Sequence, residues 1–152
     1  MKQLLLMLLI PTLSYSQITY DDVMSINSEK TFKRIMIEKG YEFDRDEDGR
    51  WITYGLDIQK SIFGDKSSSW SNYDTQNDEF NFTFYFSGND YLDRDNPYNI
   101  IVKKIKKNCK YYDIVNFVGI DFVCYSCPES TYKGKIGFVV SEGKGLINHF
   151  IF

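Results

Sequence analysis

Apolar and polar positions alternate most cleanly over residues 80–86, where Phe80, Phe82, Phe84 and Phe86 fall on one side and Asn81, Thr83 and Tyr85 on the other. A period of two marks a strand with one face against a core. The period changes to three and four after Asn96, a capping residue followed by Pro97 at the first helical position. From there Tyr98, Ile101, Val102, Ile105 and Cys109 share one helix face, and Lys103, Lys104, Lys106 and Lys107 share the opposite one. Those lysines read as the solvated back of a helix, placed to favour its C-terminal dipole. A second helix begins at Asn27 or Ser28, spaces Phe32, Ile35, Met36 and Lys39 along one face, and stops at Gly40. Before it, Thr19 caps a short helix with Asp21 and Asp22 in its first turn, running to about Ser25.

The remaining segments read as strands and their connections. Residues 41–44 and 51–56 form an aromatic-rich hairpin around Glu47-Asp48-Gly49. Residues 58–75, with Gly64 and the serine run 67–69, read as a loop leading into an exposed strand, and 88–96 as a polar connector. Strands follow at 110–115, 120–127, 132–140 and 146–152, with Gly143-Lys144-Gly145 as the last turn. The order of elements repeats: helix, aromatic hairpin, middle strand and alternating strand, over 28–87 and again over 97–152. The expected class is therefore α+β, with helices packed on one face of an antiparallel sheet and a two-fold internal repeat of a helix plus about four strands.

In this order of elements the chain resembles the tandem αβ4 architecture of the β-lactamase-inhibitor-protein-like and small outer-membrane-assembly lipoprotein families. The resemblance covers most of residues 17–152 and implies a protein-binding module. It rests on element order without a sequence motif, so no functional residue is carried over from it.

The N-terminus reads as an export signal, so this domain is expected outside the cytoplasm. Lys2, the apolar run 4–10 and the small-x-small site Ser14-Tyr15-Ser16 have the form of an export signal cleaved before Gln17. The apolar run is far shorter than the roughly 20 residues that span a bilayer, and no other segment reaches that length. No cysteine stands at the cleavage point to take a lipid. The expected product is a single domain of residues 17–152, secreted or periplasmic. It has lost Lys2 of the 18 basic residues and none of the 21 acidic ones, leaving 17 against 21, a net −4. That balance argues against a nucleic-acid partner, which requires concentrated Lys and Arg. Twelve Tyr, twelve Phe and two Trp give 17% aromatic residues, a composition that favours strands.

The candidate chemistry lies mostly in the second half. Cys124-Tyr125-Ser126-Cys127 has the spacing of a thiol–disulfide exchanger, but Pro128 and a strand follow it, not the helix whose N-terminus lowers such a thiol's pKa. Cys109, Cys124, Cys127 and His149 would make a zinc set, yet thiols in an oxidising compartment pair with each other. If the hairpin turns near Val118, facing positions sum to about 236, which brings Cys109 to Cys127 and leaves Cys124 as a buried small hydrophobe. Cys109 with Cys124 is the competing pair, and either leaves one cysteine over. Asp44, Asp46 and Asp48 begin like an EF-hand, but Gly55 stands where the bidentate glutamate belongs, so at most a loose calcium site remains. Asp90, Asp93 and Asp95 read as a solvated connector. Glu129 and Glu142 are a carboxylate pair that nothing in the sequence positions.

Trp70, Tyr73, Tyr85 and Tyr125 are expected on the solvent side of their strands, where amphipathic rings serve interfaces. The function expected is a non-enzymatic protein-binding or envelope-associated module that needs no cofactor. The alternative is a small thiol-dependent or hydrolytic enzyme using Cys124, Cys127 and His149.

Overall fold

The computed structural model describes residues 17–152, and the export signal read over residues 1–16 lies outside them. Eight strands form one antiparallel sheet, accompanied by three helices. Helices α1 (Tyr20–Ser25) and α2 (Glu29–Glu38) come first, then strands β1 (Glu42–Glu47), β2 (Trp51–Leu56), β3 (Ser69–Asp74) and β4 (Glu79–Tyr85). Helix α3 (Pro97–Asn108) leads into β5 (Lys110–Phe117), β6 (Ile120–Ser126), β7 (Lys135–Ser141) and β8 (Lys144–Phe150). The strand order is β1-β2-β3-β4-β8-β7-β6-β5, two meanders that abut through their last strands.

The helix starts obey the capping chemistry written in the sequence. Thr19 and Asp22 satisfy each other in a capping box, Ser28 rather than Asn27 accepts from Thr31 N, and Asn96 accepts from Asn99 N ahead of Pro97. The helices cover one face of the sheet. Phe32, Ile35 and Met36 of α2 and Tyr98, Ile101 and Ile105 of α3 share a continuous core with Tyr54, Tyr73, Phe80, Phe82, Phe84, Ile136 and Ile147. Gly145 admits α3 to this face, since a Cβ there would lie 2.6 Å from the Tyr98 ring.

Three expectations change. Residues 69–74 form an interior strand, not an exposed one, because its core-facing positions are Ser69, Ser71 and Tyr73 and two small polar residues hide the alternation. Ser69 is satisfied by the Tyr41 hydroxyl at 2.6 Å, and Ser71 donates to the Asn81 carbonyl at 3.0 Å, so burial leaves neither unpaired. Residues 132–134 belong to a loop, with β7 starting at Lys135. The first hairpin strand extends to Glu47, and its charged side chains Glu42, Asp44, Arg45, Asp46 and Glu47 line one edge of the sheet. Charge and a bulge at Asp44 protect that edge from further pairing.

Candidate functional site

The face of the sheet turned away from the helices divides in two. Across its first half the register sets Thr53, Asn72, Asn81 and Asn148 side by side on β2, β3, β4 and β8. Thr53 Oγ1 donates to Asn72 Oδ1 at 2.8 Å, and Asn72 Nδ2 donates to Asn81 Oδ1 at 2.9 Å. In the next row Gly55, Trp70, Thr83 and Leu146 stand opposite one another. The Trp70 indole lies across Gly55, where a Cβ would come within 2.6 Å of its ring and 2.7 Å of Ile58. Glycine is thus required at 55 to seat the indole.

Trp70 and Tyr85 border a cleft of about 600 Å³ whose walls include Thr53, Asn72 and Thr83 from the sheet and Ser61 and Asp65 from the β2–β3 loop. That loop is held by ion pairs: Lys60 bridges Asp44 at 2.7 Å and Asp65 at 2.8 Å. It also carries two exposed apolar side chains. Ile62 and Phe63, adjacent at its tip, are each 94% exposed.

Across the second half the same face is apolar. Phe122, Cys124 and Phe150 are buried there among Val115, Ile120, Val139 and Leu146. Gly137 accommodates them, a Cβ at that position falling 2.7 Å from Cys124 Sγ and 2.8 Å from the Phe150 ring. Phe117 and the half-exposed end of the chain extend the cluster, with Phe117 5.7 Å and Phe152 5.9 Å from the Phe150 ring.

The sequence-predicted aromatics separate accordingly. Trp70 and Tyr85 meet at the cleft. Tyr73 is corrected to the core: it is 1% exposed, packs 5.2 Å from Phe32, and donates its hydroxyl to Asp78. Parity explains the change, because Tyr73 shares the Ser69 and Ser71 side of β3. Tyr125 is half-buried on the helix side, stacked 5.6 Å from Phe138.

Cys124, Cys127 and His149 do not form a common site. Cys127 is bonded to Cys109, and Cys124 is free and buried in the cluster on the helix-free face. Burial pushes the Cys124 thiol up to about 11, so it stays protonated and unreactive at neutral pH. His149 faces the helix side, 4.7 Å from Phe80 and 4.6 Å from Tyr132. No metal-binding group of three His, Cys, Asp or Glu occurs among the described residues. Of the three residues read as a loose calcium site, Asp44 pairs with Arg45 and Lys60, and Asp46 accepts from Gly49 N. Asp90 and Asp93 accept from main-chain N–H groups of their own connector, and Glu129 accepts from the Tyr20 hydroxyl. The lysines of α3 remain exposed.

No family model, curated protein or solved structure matches the chain. Among the described residues no helix is long and apolar enough to cross a membrane.

His149 makes one pH dependence predictable. Burial lowers its proton affinity, against the opposing pull of the Lys133 and Asp78 main chain. The unfolded chain therefore binds the proton more readily, and the folded chain is at full stability above the unfolded pKa of about 6.5, losing it as pH falls. It is the sole histidine. Urea titrations between pH 8 and 5 should show wild-type stability declining below about pH 6.5 by at most ~1.4 kcal/mol per pH unit, with the decline absent in His149→Phe.

Proposed function

We propose that the chain is an exported, non-enzymatic protein-binding module that meets its partner with the helix-free face of the sheet, anchored by the β2–β3 loop. The observation that carries this reading is the pair Ile62 and Phe63, each 94% exposed at the tip of the loop beside the Trp70–Tyr85 cleft. Two large apolar side chains held together in water forgo about 1.5–3 kcal/mol each that burial would return. A partner that covers them recovers that energy, and Trp70 and Tyr85 supply the amphipathic rings that interfaces favour.

The same reading takes the halves as a repeat of a helix plus four strands, as in the tandem αβ4 families, and the abutting meanders of the sheet support it. Export before Gln17 is part of it, and the Cys109–Cys127 bond supports an oxidising destination.

The test is capture of a partner, with crosslinking, from the envelope and medium of the exporting cell. Ile62→Ser with Phe63→Ser should leave stability within about 0.5 kcal/mol of wild type, since both side chains are exposed. It should weaken binding of the captured protein by roughly 30-fold or more. Absence of any specific partner, or undiminished capture by the double variant, would remove the reading.

A further inference from the structure

The cleft between the sheet and the β2–β3 loop continues beyond its own walls. A second hollow of about 390 Å³ shares Asp65, Trp70 and Tyr85 with it and reaches past Ser67. Together the two make a groove that follows both rings. The charges in the main cleft are already matched within the protein. Arg45 pairs with Asp44 and Glu47, and Asp65 pairs with Lys60 and accepts from Ser61 N.

What the main cleft offers a ligand is therefore neutral. Among the described residues, Trp70 has no acceptor for its Nε1–H and no aromatic or cationic neighbour against its ring. The Thr83 and Tyr85 hydroxyls also lack partners. These groups are open to water. Tyr85 is 47% exposed, and the one fully buried side-chain nitrogen or oxygen without a partner among the described residues is His149 Nδ1, on the other face. Thr53 and Asn72 are pinned at 2.8 Å, and Asn72 is pinned to Asn81 at 2.9 Å, so this part of the wall is ordered before a ligand arrives.

Uncharged donors and acceptors beside an indole and a phenol complement a molecule with hydroxyls around its edge and C–H groups on its face. A sugar ring has that form: each hydroxyl both donates and accepts, and the weakly positive C–H bonds lie against the negative π face. The alternatives fit less well. A phosphate calls for an unspent cation in the cleft. A purely apolar ligand would strip water from Trp70 Nε1 and the Thr83 hydroxyl and return no hydrogen bond. An extended peptide adds to an open strand edge, and β2, β3 and β4 are paired on both sides.

We infer that this groove binds a neutral glycan, with one sugar ring resting on Trp70 and hydrogen-bonded to Thr83 and Asn72, and the chain continuing past Tyr85. The inference rests on the proposed use of the helix-free face for binding, and it names what the partner presents to the cleft.

The indole region of a proton–nitrogen-15 spectrum holds two side-chain peaks, from Trp51 and Trp70, and Trp70→Phe assigns them. The probes are the neutral tetrasaccharides cellotetraose, mannotetraose, xylotetraose, maltotetraose and chitotetraose, titrated into the purified protein. At least one should move the Trp70 peak saturably and leave Trp51, which lines neither hollow, in place. Glycerol, which has hydroxyls and no ring face, should not, and tetragalacturonate, with a carboxylate on every ring, should bind no more tightly than the best neutral sugar. Thr83→Val keeps the β-branched shape without the hydroxyl, and Tyr85→Ala alters an exposed side chain, so both should fold. Each should weaken the responding sugar about fivefold. No saturable shift with any neutral tetrasaccharide, an equal shift with glycerol, tighter binding of tetragalacturonate, or undiminished binding in both variants would overturn the glycan. Any of these with Ile62- and Phe63-dependent capture intact removes the glycan and leaves the protein contact. Capture that fails while the titration succeeds removes the protein contact and leaves the sugar site.

Discussion

Phe82→Ala is expected to cost the fold about 3–5 kcal/mol, roughly a fifth or more of the stability of an ordinary domain. The side chain is wholly buried, and its neighbours along β4 are Phe80 at 6.0 Å and Phe84 at 6.4 Å between ring centroids. Its position in the register amplifies the loss. Phe82 stands opposite Ser71 on β3 and Ile147 on β8, so it sits where the two meanders are joined. Ser71 is too small to move into the space vacated, and Ile147 is itself fully buried and held by its own strand. The cavity therefore stays open, which is the condition for the upper part of that range. Thr83→Ala, one residue on and on the helix-free face, should fall within about 1 kcal/mol of wild type. Urea midpoints for the two variants, at unchanged m-value, measure the contrast directly. Equal losses would mean that β4 does not present one face to the helices.

That contrast also shows how far the pattern of residues reaches. The 80–86 alternation is legible because every inward position is Phe, and the α3 face is legible because a capping Asn, a Pro and four apolar residues agree in phase. β3 fails the same test for a physical reason. Its inward positions Ser69 and Ser71 are small, and they are satisfied by Tyr41 and by the Asn81 carbonyl, partners remote in sequence or on the neighbouring strand. Tertiary hydrogen bonds replace hydrophobicity there, and without that phase the pattern does not show that Tyr73 faces the core. The Ile62–Phe63 tip was within reach of the sequence, as two adjacent apolar residues in a loop bounded by Lys60 and Asp65. The cleft beside it was not, because its members Thr53, Ser61, Asn72 and Thr83 come from separate elements and meet only when the sheet is formed.

Removing the Cys109–Cys127 bond is expected to cost about 3 kcal/mol, and removing the Cys124 thiol much less. The bond closes a separation of 18 residues, for which loss of chain entropy in the unfolded state gives about 3 kcal/mol. Its location adds a consequence for the edge of the sheet. Cys109 ends α3 and Cys127 follows β6, so the bridge fixes the point from which β5 starts. From there Lys110 pairs with Ser126 and Tyr111 with Tyr125 before the register slips by one at Tyr112. The facing sum of 236 holds next to the cysteines, and the bulge absorbs the extra residue toward the turn. With the bridge cut, β5 keeps only its pairing to β6, since its other side is the free edge of the sheet. Cys109→Ala with Cys127→Ala, and wild type under reductant, should lose the same stability, and intact mass should show wild type gaining two hydrogens on reduction. Cys124→Ala should lose about 1 kcal/mol in the packed cluster around Gly137 and be insensitive in its redox behaviour. If reduction leaves stability unchanged while the double alanine variant loses several kcal/mol, the cost belongs to packing at the end of α3 and the bridge is not what holds β5 in register.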